Sequence, residues 1–230
     1  MRPSGDLAGT LALLPWERSS IESVLKARAR FLPKEEIFVG LLLPVLLGSV
    51  RSDRQGIKAA RYIITQLEGR GHEPVLIDPL EKKLPLLDRM YKEYPKGKAP
   101  KVLEELAALY RRADGFVIVT GEYNQSVQPA LKNLLDHFLE EYFWRPSTIV
   151  SYSAGRFAGV RAAVALRTIL AELGMPSLPS VLSIPTIGST LNEDGTCNEA
   201  WIDKAAQRFL AEFEWYAEAL AARRKEGTPY

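Results

Sequence analysis

The chain has 230 residues, 47% of them hydrophobic and 25% charged, which suits one large domain with an ample core. Thirty basic residues against 28 acidic ones leave a net charge of +2, too balanced for a nucleic-acid or membrane footprint. The lone cysteine, Cys197, excludes an internal disulfide and fits a reducing, cytoplasmic setting, and with only His72 and His137 beside it a structural zinc site lacks ligands.

Residues 1–36 read as an N-terminal extension. Ser19 with Glu22 three residues on is a capping-box pattern, so a short helix is expected from about Ser20 to Arg30, ending before Pro33. Asp6, Glu17 and Glu22 argue against a mitochondrial presequence, and an arm packed on the domain or on a partner subunit is the plainer reading. The main domain is expected over residues 37–225. It opens with "IFVGLLLPVLLGSV", too short for a membrane span and read as a buried strand, with Pro44 near the strand start. Ile57, Ala60, Ile64 and Leu67 follow at helical spacing. "EPVLIDP" is a second strand, and Val102, Leu103, Leu106 and Tyr110 mark a second helix. "DGFVIVT" is a third strand, followed by a helix through Ala130, Leu131, Leu134, Leu135, Phe138 and Leu139, with Pro129 in its first turn. "STIVSYS" and a helix stopped at Gly174 come next, then "LPSVLSIP" and a last helix through Ile202, Phe209 and Tyr216. Five such units predict a doubly wound, five-stranded parallel sheet with helices on both faces. Residues 80–98 form the longest irregular connection, a candidate lid or interface loop.

Ligands of such sheets bind outside the carboxyl ends of the strands, where three junctions stand out. "GSVRSDRQG", residues 48–56, offers a tight turn at Gly48, the Ser49 hydroxyl, Arg51, Arg54 and a helix start. It is neither a Walker loop nor a dinucleotide fingerprint, and a solvated polar turn is an equal reading of it alone. "TGEYNQSVQPALKNLLDH", residues 120–137, places a polar cluster between a strand and a helix. "SYSAGRFAGVRA", residues 151–162, carries Gly155 and Gly159, which let backbone approach a ligand. A phosphate turn with two backbone-rich loops suits a flat, phosphorylated ring system such as flavin mononucleotide (FMN).

In that order, "GSVRSDRQG", "GEYNQSVQPALKN" and "SAGRFAGVRA" resemble the NADPH-dependent FMN reductase family, flavodoxin-like reductases of quinones, azo dyes and chromate. The resemblance covers about residues 37–220. It departs at Gly121, where the family usually has Pro, and at Ala158, where a Gly-Gly pair is usual. It implies that Ser49, Arg51, Arg54, Gln55, Gly56 and Ile57 surround the flavin phosphate. Gly121, Glu122, Tyr123, Asn124, Gln125 and Ser126 then run along the ring, and Ser153, Ala154, Gly155 and Arg156 flank its pyrimidine edge. The implied reaction is ping-pong. A nicotinamide of NADPH (or NADH) stacks on the open flavin face and passes hydride to N5, and a quinone, azo, metal-ion or free-flavin acceptor then takes its place. No protein acid, base, nucleophile or metal is expected, and the family points to a homodimer or homotetramer. A flavodoxin-like electron carrier and a flavin-free binding protein on the same fold remain as alternatives.

Plainer roles stand beside these. Asn124 and Ser126 suit turns, and Lys132 and Asn133 suit a solvated helix face or a buttress to the loops. His137 reads as a surface or half-buried residue, Cys197 as inert, and Arg161 and Arg167 as surface or interface charges. Arg156 is a candidate for the ribose phosphate of NADPH. "FLEEYFW", residues 138–144, reads as a subunit contact or as core.

Overall fold

A computed structural model describes residues 40–230; the expected N-terminal extension and its helix lie outside the described residues. The five strands are β1 (Leu42–Leu47), β2 (Glu73–Ile77), β3 (Phe116–Thr120), β4 (Ser147–Tyr152) and β5 (Ser177–Ile184). All pair in parallel, in the order β2-β1-β3-β4-β5. This is the flavodoxin-like order, which reverses direction between β1 and β3. The helices are α1 (Gly56–Glu68), α2 (Pro79–Lys82), α3 (Lys101–Arg112), α4 (Pro129–Asp136), α5 (Val160–Glu172), α6 (Ile187–Thr190) and α7 (Ala200–Lys225).

Strand residues alternate between two apolar layers, as the period-2 geometry of a strand demands. Leu43, Val45, Leu47, Val117, Val119 and Val150 pack with Ile63 and Leu67 of α1 and Phe209 and Phe213 of α7. Leu46, Phe116, Ile118 and Ile149 face the other way, onto Leu106 and Tyr110 of α3, Leu134 of α4 and Leu166 of α5. All six residues of β1 are buried, which is why the run reads as continuous apolar sequence.

Pro44 stands near the start of β1, at its third residue. The geometry tolerates it for a local reason. The N–H groups of Leu42 and Gly48 point toward the β3 side, to the Asp114 carboxylate (3.0 Å) and the Val119 carbonyl (2.9 Å). Pro44 shares their parity, so its missing N–H faces β3, where pairing begins only at Val45. Helix α4 ends at Asp136, short of Leu139, and a 3-10 turn at Glu140–Tyr142 follows. Phe138 and Tyr142 are fully buried in an aromatic cluster with Tyr110 and Phe116, so core packing accounts for this part of the aromatic segment.

Two polar residues sit differently from the sequence expectation, and a third, Asn133, takes the buttress role offered for it. His137 is buried, its Nδ1 2.7 Å from the Asn133 carbonyl, because it caps α4 against the core. Arg167 does not serve as a surface charge: it reaches the outer strand β5 and donates to the carbonyls of Leu178 (2.5 Å) and Pro179 (2.6 Å). Asn133 ties down the 80–98 connection, accepting from the Leu87 N–H (2.9 Å) and donating to the Pro85 carbonyl (2.8 Å).

Candidate functional site

An open cleft of about 260 Å³ lies at the carboxyl ends of β1, β3 and β4, across the point where strand order reverses. Its lining brings together Ser49, Arg51, Arg54 and Gln55 from the first junction, Gly121, Glu122 and Tyr123 from the second, and Ser153 and Ala154 from the third. Asp53, Gln128, Tyr152 and Ile187 complete it. Gly56, Ile57, Asn124, Gln125, Ser126, Gly155 and Arg156 fall outside the lining.

The first wall is the loop from Ser49 to Gln55 and the start of α1. This 13-residue helix has no side-chain cap at Gln55 and no acidic residue in its first turn. Its leading N–H groups therefore present an uncompensated positive end toward the loop. Gly56 is required by space: a Cβ there would lie 2.3 Å from the Tyr152 hydroxyl oxygen. Arg51 pairs with Asp53 at 3.0 Å, both exposed. Arg54 is engaged by Asp78, at the end of β2, through two contacts of 2.6 and 2.5 Å.

The second wall is built around Gln128, which is 2% exposed. Its Oε1 accepts the Gly121 N–H at 2.9 Å, so its Nε2 must point the other way, and it donates to the Tyr152 oxygen at 3.0 Å. With that acceptor position filled, the Tyr152 proton is free to be donated elsewhere. Burial pushes the Tyr152 phenol above its ordinary pKa, although hydrogen bonds from Gln128 and Ser49 pull it back, so the proton stays on at neutral pH. Glycine at 48 and 121 makes room for this pair. A Cβ at Gly48 would fall 2.2 Å from Gln128 Oε1, and one at Gly121 would fall 2.8 Å from Gln128 Nε2.

Beyond Tyr123 the chain makes a two-residue turn. Tyr123 and Ser126 exchange backbone hydrogen bonds of 3.0 Å each, with Asn124 and Gln125 both left-handed (φ 49 and 69). This is the primed hairpin geometry that favours Asn at the first position, and it spends the N–H groups of Tyr123 and Ser126 on the turn itself.

The third wall is Ser153 and Ala154. The Ser153 and Gly155 carbonyls accept the N–H groups of Ile187 (3.1 Å) and Thr186 (3.0 Å), which pins the loop to the start of α6. Ala158 and Gly159 both have positive φ, and a Cβ at Gly159 would sit 2.6 Å from the Tyr152 carbonyl oxygen. Glu122 forms an ion pair with Arg161 and accepts its N–H (3.3 Å), so Arg161 is fixed to the cleft wall. Arg156 projects outside, its guanidinium 5.2 Å from the exposed Phe157 ring. Burial pushes the Cys197 thiol upward, away from the reactive thiolate.

Four lining residues escape the sequence reading: Asp53, Gln128, Tyr152 and Ile187. Gln128 stands in the second junction beside Pro129, a helix-start position, which is the one sequence signal available. Tyr152 reads only as the end of a strand.

Strand order, the cleft at the reversal point and the hydrogen-bond donors along one wall define a flavodoxin-like α/β protein. Residues 42–188 match the family model for NADPH-dependent FMN reductase. The chain belongs to that family, whose members are FMN- and NAD(P)H-dependent oxidoreductases. It is 28% identical over 138 residues to the NADPH azoreductase of Bacillus sp. (strain OY1-2), covering 60% of this chain and 72% of the relative. It is 31% identical over 147 residues to the quinone reductase of Pseudomonas putida (strain KT2440), covering 58% and 72%. Among solved structures, the flavoenzyme NAD(P)H:(acceptor) oxidoreductase FerB from Paracoccus denitrificans shares the fold at TM-score 0.64 and 21% identity, covering 78% of this chain and 98% of that one.

Proposed function

We propose that the protein is an FMN-dependent NAD(P)H oxidoreductase that reduces a small-molecule acceptor, of the quinone, azo, metal-ion or free-flavin kind, in a ping-pong cycle. The observation that carries this reading is the donor set gathered at the switch point. Ser49, Arg51 and Tyr152 line the cleft beside the uncapped start of α1, a set of donors that suits a phosphate ester. The cleft is open on one side, so a planar ring seated in it keeps a face for a second molecule.

When bound, FMN supplies the two-electron chemistry between NAD(P)H and the acceptor. The protein's own work is position. Ser49, Tyr152, Arg51 and the start of α1 would hold the phosphate end. Gly121, Glu122 and Tyr123 would line one edge of the ring, and Ser153 and Ala154 the other. Gln128 keeps the second wall and Tyr152 in register. The reading asks no side chain to act as an obligatory acid or base. A homodimer or homotetramer in the cytoplasm is the proposed setting; among the described residues no helix is long and apolar enough to cross a membrane.

The test is the visible spectrum of the purified protein with added FMN, followed by anaerobic NADPH. A bound flavin spectrum that bleaches supports the reductase. Bound flavin that stays oxidised points to an electron carrier, and absence of binding rejects the reading.

A further inference from the structure

Resting on the flavin reading above, we propose that Asp78 is a positioning residue of the phosphate loop, and that it holds Arg54 as a strut rather than as a ligand to the phosphate. The pair is geometrically complete. Arg54 Nη1 and Nη2 meet Asp78 Oδ1 and Oδ2 at 2.6 and 2.5 Å, the parallel two-point arrangement that guanidinium and carboxylate favour. The same Nη1 donates to the Ser49 carbonyl at 3.2 Å, closing the loop from residue 49 to residue 54. Asp78 is 1% exposed, and its Oδ1 also accepts the Leu80 N–H at 2.9 Å as the cap of α2.

Swinging Arg54 to a phosphate would strip a buried carboxylate of its counter-charge, the costliest way to break an ion pair. Arg51 is placed differently. Its pair with Asp53 has side chains 62% and 68% exposed, where ion pairs are weak and exchangeable. The loop thus carries one fixed arginine and one exchangeable arginine. The anion is met by Arg51, the Ser49 and Tyr152 hydroxyls and the helix start, while Arg54 ties their loop to the end of β2.

The two roles for Arg54 give opposite signs in one experiment. Asp78→Asn removes a negative charge beside the loop. If Arg54 were a phosphate ligand restrained by Asp78, the variant would bind FMN more tightly, with a steeper salt dependence. If Arg54 is a strut, FMN binding weakens by about tenfold or more. Affinity is read by quenching of flavin fluorescence, with riboflavin, which lacks the phosphate, as the paired probe. The strut predicts a fall in the FMN-to-riboflavin affinity ratio for Asp78→Asn, and tighter FMN binding overturns it. Thermal melts establish that the variant is folded. Should Asp78→Asn not fold, Asp78→Glu decides, since it keeps the charge but displaces the two-point contact while leaving Arg54 itself intact. A lowered ratio supports the strut, and an unchanged ratio overturns it. Wild-type protein that binds no FMN rejects the functional reading instead.

Discussion

The side-chain amide of Gln128 donates to the phenol oxygen of Tyr152 at 3.0 Å, and both residues line the cleft. One buried side chain thereby links the backbone after β3 to the end of β4 and fixes where the Tyr152 proton can go. Gln128→Ala would leave the Gly121 N–H without its partner and take one of two donors from the Tyr152 oxygen, at a cost of about 2 kcal/mol in stability. Tyr152→Phe should keep the fold and weaken FMN more than riboflavin. A double-mutant cycle on FMN affinity should show coupling of about 0.5–3 kcal/mol, whereas simple additivity would mean the two act separately.

The departure at Gly121 belongs to the same network. Gly121 donates its N–H to Gln128, and a Cβ there would press to 2.8 Å on Gln128 Nε2 and 3.0 Å on the Tyr152 ring. Its φ is not positive, so freedom of the backbone is not the reason for glycine. Gly121→Pro, which restores the residue usual in the family, removes the donor and adds the clash. Chemical denaturation should show a loss of about 2–4 kcal/mol, and FMN affinity should fall with it. A neutral result would mean that Gln128 can turn away at little cost.

Acid stability should report on Glu214. Although burial pushes its carboxyl up, hydrogen bonds from Arg70 and His72 carry it net below the usual carboxylate value. His72 Nδ1 accepts the Leu41 N–H at 3.2 Å, which leaves the proton on Nε2 to face Glu214 at 2.8 Å. A carboxylate with a lowered pKa in the folded state contributes stability above the unfolded value, near 4.3, and loses it as pH falls through the lower folded value. Glu214→Gln should therefore be less stable than wild type at pH 7, with the gap closing below about pH 4. A gap independent of pH would assign the effect to packing.

Tyr110 offers the opposite sign. Its hydroxyl is buried and has no hydrogen-bond partner among the described residues, while its ring sits edge-on to Phe116 at 5.3 Å. Tyr110→Phe keeps the ring and removes an unsatisfied polar atom. Melting should show a change between zero and a gain of about 1 kcal/mol. A clear loss would mean that the hydroxyl is bonded to an internal water.

The architecture was legible because each strand is an apolar run bounded by turn residues, and each long helix has a clear apolar stripe. What lets Pro44 sit inside β1 was not legible, because the parity that excuses it depends on Asp114, a residue 70 positions away in sequence. The loops of the site were legible as loops. What their side chains do was less so, because partners lie far along the chain. Arg54 reads as a free cation until Asp78 arrives from β2, and Arg161, an exposed charge as expected, gives no sign of its pair with Glu122. Tyr152 hides within a strand pattern, since nothing local says that its hydroxyl reaches the first turn of α1.

The outer strand β5 carries Pro179, and Arg167 occupies the carbonyls of Leu178 and Pro179. A bare strand of this length is a template onto which another copy can zip, growing cross-β fibrils. Here one backbone donor is missing and two acceptors are already spent, so the start of β5 is a poor template for such growth. That guard lasts only while α5 holds Arg167 in place. The protection of this edge is thus a property of helix and strand together, not of the sheet alone.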